Sequence, residues 1–468
     1  MILSRPRRLE GRKLAAAFVV ASVMCAVPAV AGPVDGTSVR FVTFNASLNR
    51  NAAGELLADM NAAGIVDTSV AYPSIAGLSV QQRRVLQAHY QRRLPVGNAW
   101  RRQHGAHRDQ RARLRPRLHA HHDDHGYTPT TNTGLASGFD LDNNGVVGGG
   151  NDAFGFGNFG GQFGFTIFSK YEVTNVRTFP NFLWKDMSGN LLTNDPTAND
   201  LESFYSPEEV AALRLSSKNH VDITLDIDGT EVHFLTAHPT PPVFDVPEDR
   251  NGKRNFDEIR FWKDYINGAG YIYDDQGGTG GLGGNALFII AGDYNADLCD
   301  GDSFKVACTG RDQPGVGPNA IGQLLLDPLV NTGVTPESAG GTAAATDPSN
   351  NGNFNDRHLQ DLRFDTADFS DSSTFGPGNL RVDYVLPSIS LDILDSGVFW
   401  PDRADPNFPL VGTFNNLNLF SNFPTSDHKA VFVDVLVPTH GVPTPAALSL
   451  LLGAALLAGL GRRVPRAR

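Results

Sequence analysis

The stretch Ala286-Leu-Phe-Ile-Ile-Ala291-Gly292-Asp293-Tyr294-Asn295-Ala296-Asp297 decides how this chain is read. Its first half is an apolar run short enough for a strand buried on both faces, so the polar half emerges where that strand ends. In α/β folds, chemistry collects at such ends. Gly292 permits a sharp turn, Asp293 offers a base or a metal ligand, and Asn295 offers a neutral donor that can hold an anionic oxygen. Alone, the stretch is equally a turn closed by an Asx bond.

Working outward, further strand-like segments carry polar residues of one chemical kind at their ends. Val39–Phe44 alternates and stops at Asn45. Val221–Ile227 and Val232–Ala237 flank the hairpin signal Asp228-Gly-Thr-Glu231, and the second of them runs into His238. Phe163–Phe168, Leu380–Leu386 and Ala430–Val437 are also β-like; Asp383 lies inside the second, and Asp427-His428 precedes the third. Ser206-Pro-Glu-Glu209 is a capping box with proline at the first helical position, opening a helix through Leu213. A second helix is expected from Asn255 to Asn267, with Gly268 as its C-cap. The hairpin brings antiparallel pairing into the fold and tells against a purely parallel sheet.

Each polar residue has a bland reading. Asn45 is a turn residue, His238 a surface histidine before Pro239, Asp383 a partner of Arg381, and Asp427 the cap of a turn. Gathered at one sheet edge, they suit phosphate-ester hydrolysis instead. Carboxylates hold a divalent cation or activate water, imidazoles donate protons to phosphoryl oxygens, and amides position the phosphate.

In order and local context, Phe44-Asn45, Thr236-Ala-His238, Gly292-Asp-Tyr-Asn295, Arg381-Val-Asp-Tyr384 and Ser426-Asp-His428 resemble the motifs of the endonuclease/exonuclease/phosphatase superfamily. That superfamily includes pancreatic deoxyribonuclease, apurinic endonucleases and bacterial sphingomyelinases. The resemblance runs over a domain spanning residues 38–437 and implies an α/β (α+β) four-layer sandwich, two packed mixed β-sheets flanked by helices. It implies catalytic roles for His238, Asp293, Asn295, Asp383 and His428, with Asp293 acting on the attacking water and Asn295 on the phosphate. His428 would contact the phosphoryl group, oriented by Asp383, and His238 would stabilise the leaving side. Asn45 and Asp427 would lie near the metal, which in the family is usually Mg²⁺. DNA, RNA, phospholipid head groups and small phosphoesters are all handled by this fold, so the resemblance implies a phosphoester substrate, nucleic acid included, and a monomer.

One expected residue is absent. The family's principal metal ligand is a glutamate at the end of a strand soon after the first helix, yet no glutamate occurs between Glu55 and Glu172. Residues 62–127 are anomalous throughout. From Gln81 to His125 the chain carries Arg83-Arg84, Arg92-Arg93, Arg101-Arg102, Arg111, Arg113, Arg115 and Arg117, seven histidines, no lysine, and no helical or strand period. A basic nucleic-acid insert, a His-rich metal loop around His119–His125, and GC-rich DNA read out of frame are three accounts of it. The third is preferred, because one cause then explains the missing strand and the missing glutamate. Metal-assisted turnover is accordingly expected to be weakened or lost, and the alternative function is a catalytically inactive, surface-anchored binding protein on the same scaffold.

Asp140-Leu-Asp142-Asn-Asn144-Gly145 follows half of a calcium-loop pattern, making Asp140, Asp142 and Asn144 candidate ligands of a structural Ca²⁺. Its twelfth position is Asn151 rather than glutamate, with Asp152 next to it as a substitute; a metal-free Gly/Asn-rich loop is the equal reading.

The ends of the chain read as addresses. Basic residues from Arg5 to Lys13, apolar Leu14–Val30 and the small-x-small site Ala29-Val-Ala31 form a secretory signal peptide over residues 1–31. Residues 442–468 begin with Val442-Pro-Thr-Pro445, continue with an apolar run from Ala446 to Leu460, shorter than the ~20 residues of a bilayer span, and end in arginines. This resembles the PEP-CTERM sorting signal of Gram-negative bacteria, with Thr444 where its glutamate stands; a plain membrane anchor is the alternative. Either places the protein outside the cytoplasm, at the periplasm or cell surface or secreted. Cys299 and Cys308, close in sequence, are then expected to form a local disulfide. A net charge of −11 argues against a general polyanion binder.

Overall fold

The computed structural model describes residues 36–47, 125–195, 201–245, 247–306, 308–315, 317–346, 358–369, 377–412 and 426–439. The signal peptide, the arginine-rich stretch up to residue 124 and the C-terminal segment lie outside the described residues. Among the described residues no helix is long and apolar enough to cross a membrane.

The strands are β1 (Gly36–Thr43), β2 (His125–Tyr127), β3 (Ile167–Ser169), β4 (Glu172–Thr178), β5 (His220–Ile227), β6 (Thr230–Ala237), β7 (Leu287–Asp293), β8 (Ala367–Asp368), β9 (Asn379–Leu380), β10 (Asp383–Pro387), β11 (Asp392–Val398) and β12 (Val431–Pro438). The short helix α1 (Pro207–Ala212) precedes α2 (Arg250–Ile266), the longest described helix. β7 is the apolar run with which the sequence reading began. It pairs parallel with β6, Leu235 opposite Ile290, and antiparallel with β10, Asp383 opposite Asp293. The resulting mixed sheet has the order β10-β7-β6-β5-β4. An antiparallel sheet, β1-β12-β11, is the other main layer.

Alternation along β7 explains why it is apolar on both faces. Ile289 and Ala291 join Val39, Phe41, Val433 and Val435 in the core between the two sheets. Phe288 and Ile290 point the other way, into a core built with Phe261, Trp262 and Tyr265 of α2. Sheets packed face to face with a helix outside are the expected mixed α/β layering.

Local chemistry sets the element ends. Ser206 accepts from the Glu209 amide while the Glu209 carboxylate accepts from the Ser206 amide, so the capping box forms as expected. Gly268 follows the C-cap of α2 at φ 76°. The hairpin turn is tighter than its four-residue signal: Asp228 (φ 52°) and Gly229 (φ 85°) alone connect β5 to β6.

Several boundaries differ from expectation. The strand expected from Phe163 to Phe168 is confined to Ile167–Ser169, because Phe163 has φ 62°, outside the extended region. The strand expected over Leu380–Leu386 is broken into β9 and β10. There the Arg381 amide donates to Asp297 and the Val382 amide to Thr366, so neither joins the ladder. α2 starts at Arg250, ahead of the expected Asn255, and its first turns bury Lys253 and Asn255, polar residues that hide the apolar period. β4 and β11 went unpredicted; β4 is largely polar, β11 mixes polar and apolar residues without alternation, and each carries a register shift.

Candidate active site

The two sheets deliver their polar residues to a common place. Asn45 lies just past β1, His238 just past β6, Asp293 ends β7, Asp383 begins β10, and His428 lies just before β12. Gly292 makes the approach feasible. A Cβ there would sit 2.0 Å from the Ala237 carbonyl oxygen, so only glycine lets β7 pass β6 this closely.

Asp293 is the hub. Its Oδ2 accepts from Asn45 Nδ2 at 2.9 Å and faces His238 Nε2 at 3.4 Å and His428 Nε2 at 3.7 Å. Its Oδ1 accepts from the Asn295 amide at 2.9 Å, so the Asx turn of the bland reading is present as well. Asn295 adopts φ 50° and its Nδ2 donates to the Pro239 carbonyl at 3.1 Å. His428 Nδ1 lies 2.9 Å from Asp383 Oδ2, so Asp383 is partnered by the histidine rather than by Arg381.

The electrostatics separate the two histidines. Burial works against charge on His428, but Asp383 and Asp293, together with the Asp383 hydrogen bond, outweigh it and hold the imidazole at about 10. Burial, reinforced by Lys218, drives His238 down to about 3, against the pull of Asp293. Burial also works to raise Asp293, yet His428, His238 and the Asn45 amide keep it below the usual carboxylate range. Asp383 is raised by burial to about 6, with His428 pulling the other way. His428 is therefore the charged imidazole and His238 the neutral one.

Asp293, Asp383 and His428, all buried, bring their polar atoms within 4.8 Å of one another; with the imidazole protonated, the two carboxylates are the donors suited to a divalent cation. Among the described residues Asp383 Oδ1 is buried without a hydrogen-bond partner, an acceptor left free for such an ion. Asn45 and Asp427 border this group. Asn45 Oδ1 accepts from the Ser47 amide, and Asp427 Oδ1 accepts from the Ser47 hydroxyl. The stretch in which the family's glutamate is expected, and in which the sequence has none, falls largely outside the described residues.

Sequence reasoning missed three supporting residues. Thr366 Oγ1 donates to Asp383 Oδ2 at 2.9 Å and accepts from the Val382 and Asp383 amides at 3.0 and 2.9 Å. Ser426 Oγ donates to the Asn45 carbonyl at 2.7 Å and accepts from the His428 amide at 3.0 Å, tying the end of β1 to the approach to β12 in the same sheet. Ser47 Oγ lies 2.8 Å from Ser426 Oγ. A hydroxyl with no periodicity has no sequence signature; only the Ser426-Asp-His428 context could have pointed to one of them.

Elsewhere, Asp140, Asp142 and Asp152 form a second group with ligand atoms within 4.8 Å of one another. Its oxygens are engaged within the loop: Asp140 by the Asn144 and Gly145 amides, Asp142 by the Asn151 side chain, and Asp152 by the Leu141 and Gly148 amides. Asn144 Oδ1 accepts from the Val146 amide. Cys299 and Cys308 are disulfide-bonded.

The Endonuclease/Exonuclease/phosphatase family model matches residues 105–428, beginning inside the arginine-rich stretch and ending at His428. Among solved structures, an endonuclease/exonuclease/phosphatase family protein from Leptotrichia buccalis C-1013-b is 15% identical, covering 67% of this chain and 71% of its own, with a TM-score of 0.30. Sphingomyelinase C from Streptomyces griseocarneus is 11% identical over 58% of this chain and 68% of its own, TM-score 0.28. TDP2 from C. elegans is 12% identical over 87% and 78%, TM-score 0.30. No curated protein matches the chain.

Proposed function

Because the chain belongs to the endonuclease/exonuclease/phosphatase family, we propose that it is an exported, metal-dependent phosphoester hydrolase of the phosphodiesterase or nuclease type. One observation carries the proposal: Asn45, His238, Asp293, Asp383 and His428 converge from two sheets on a single carboxylate oxygen and its neighbours. A divalent cation, Mg²⁺ in this reading, would be held by Asp293 and Asp383 and would offset charge on the phosphoryl group.

The chain's own groups account for the remaining steps. Asp293, kept ionised by protonated His428 and the Asn45 amide, orients the attacking water and draws off its proton. His428, kept protonated by Asp383, donates to a phosphoryl oxygen as negative charge grows there. Neutral His238 faces the leaving side, and Asn295 holds the phosphate through its amide.

Hydrolysis of bis(p-nitrophenyl) phosphate tests this reading. Turnover should stop with EDTA and fall by about 10²–10⁴-fold in Asp293→Ala, the range expected for loss of a positioned proton acceptor. The absence of glutamate between Glu55 and Glu172 favours the second reading, a non-catalytic surface-anchored binder. Folded protein that binds a phosphodiester without any metal-dependent turnover would establish that reading and sink the first. Export through residues 1–31 and retention through residues 442–468 belong to the same proposal.

A further inference from the structure

A buried cation, Lys218, borders the site. Lys218 sits just beyond the paired end of β5, where His220 pairs with Ala237. Carried outward, that register sets Lys218 across from Pro239, and its Nζ donates to the Pro239 carbonyl at 3.2 Å. Asn295 Nδ2 donates to the same oxygen at 3.1 Å. An ammonium and the phosphate-holding amide thus meet on one acceptor, directly beside His238.

Lys218 is 5% exposed. A buried ammonium ordinarily has a carboxylate against it, because an uncompensated buried charge is costly. Among the described residues no carboxylate forms a salt bridge with Lys218 within 4.0 Å. Glu258 acts on it only through space, and the two Glu258 oxygens are taken by the Ser217 amide at 2.6 Å and the Thr240 amide at 2.5 Å. Burial draws the lysine down to about 8, with Glu258 and Asp293 opposing, so it keeps its proton at neutral pH. His238 and Asn295 are part-exposed and give an anion from solvent a way in.

We propose that Lys218 is a ligand of the substrate phosphoryl group, supplying a fixed positive charge beside Asn295. The proposal rests on the phosphoester reading of the site. It explains why a cation is buried where the described residues provide no ion-pair partner: the counter-charge arrives with the substrate.

Inorganic phosphate titrated into the full chain with Mg²⁺, followed by calorimetry, tests this without requiring turnover. Lys218→Met should bind phosphate about 10- to 100-fold more weakly, the loss expected for one charge-assisted hydrogen bond. Its melting temperature should hold or rise, because a buried unpaired charge has been replaced by an apolar chain of similar length. Lys218→Arg, retaining the charge, should bind more tightly than the Met variant. Equal phosphate affinity in wild type and Lys218→Met overturns the proposal while leaving the phosphoester reading intact. So does a loss in Lys218→Met that comes with a lowered melting temperature and is matched in Lys218→Arg, the mark of a structural lysine. A wild-type chain that binds no phosphate overturns both.

Discussion

Thr366 shows how much of the site depends on residues that never meet substrate. Its hydroxyl is the shared partner of Asp383 and of two backbone amides at the break between β9 and β10. In Thr366→Val the amides of Val382 and Asp383 lose their acceptor and Asp383 loses a donor, although the side chain keeps its shape. We expect a loss of about 2 kcal/mol or more in urea unfolding, together with a fall of roughly tenfold in kcat. Undiminished activity at wild-type stability would contradict the role given to this hydroxyl. Sequence made Asp293, His238 and His428 legible because each stands at a strand boundary with a distinctive neighbour. Thr366 and Lys218 were illegible for a physical reason. Their roles depend on backbone groups brought near by strand pairing, and those contacts have no local pattern in the chain.

At the level of elements, β7 and β12 were read almost to the residue because burial on a sheet imposes apolar runs or alternation. β4 was not, since a polar edge strand with a register shift lacks both signals. β5 carries a pH prediction at its first residue. His220 is buried, with Nδ1 against the Ser216 hydroxyl and Nε2 2.8 Å from the Glu258 carbonyl oxygen. Neutral imidazole satisfies both, and burial lowers its pKa from 6.5 to about 4. Between those values the unfolded chain takes up a proton that the folded chain refuses. Stability from this residue is therefore complete above pH 6.5 and is lost as pH falls toward 4, by roughly 3 kcal/mol. Urea unfolding at several pH values should give that slope, and His220→Asn should remove it. The Asp140 loop is the element on which a structural calcium would act. Added Ca²⁺ should raise the wild-type melting temperature but not that of Asp142→Asn, and identical curves with Ca²⁺ and with EDTA would mark the loop as metal-free.

Across the whole molecule, the tension lies between polar groups that assemble from distant segments and a stretch of sequence that lacks the glutamate the family leads one to expect. The groups that hold Asp293 come from β1, β6, β10 and the approach to β12, segments separated by most of the chain, and they still converge on it. Such convergence is hard to reconcile with a scaffold that never supported catalysis, because each buried polar group costs stability unless it is used or satisfied. The missing glutamate belongs to a stretch that differs in composition from everything around it: arginine pairs, seven histidines between Gln81 and His125, and no lysine. If that stretch is an out-of-frame reading, codons 56 to 128 in another frame should encode an apolar strand ending in glutamate. A chain rebuilt in that frame should then hydrolyse bis(p-nitrophenyl) phosphate with Mg²⁺ at least about 10²-fold faster than the present chain, since a restored metal carboxylate is worth several kcal/mol of charge stabilisation. Equal rates in the two chains would mean that Asp293 and Asp383 hold the cation adequately without it. The arginine-rich stretch would then be a genuine part of the enzyme, and its charge would be the first place to look for substrate contacts.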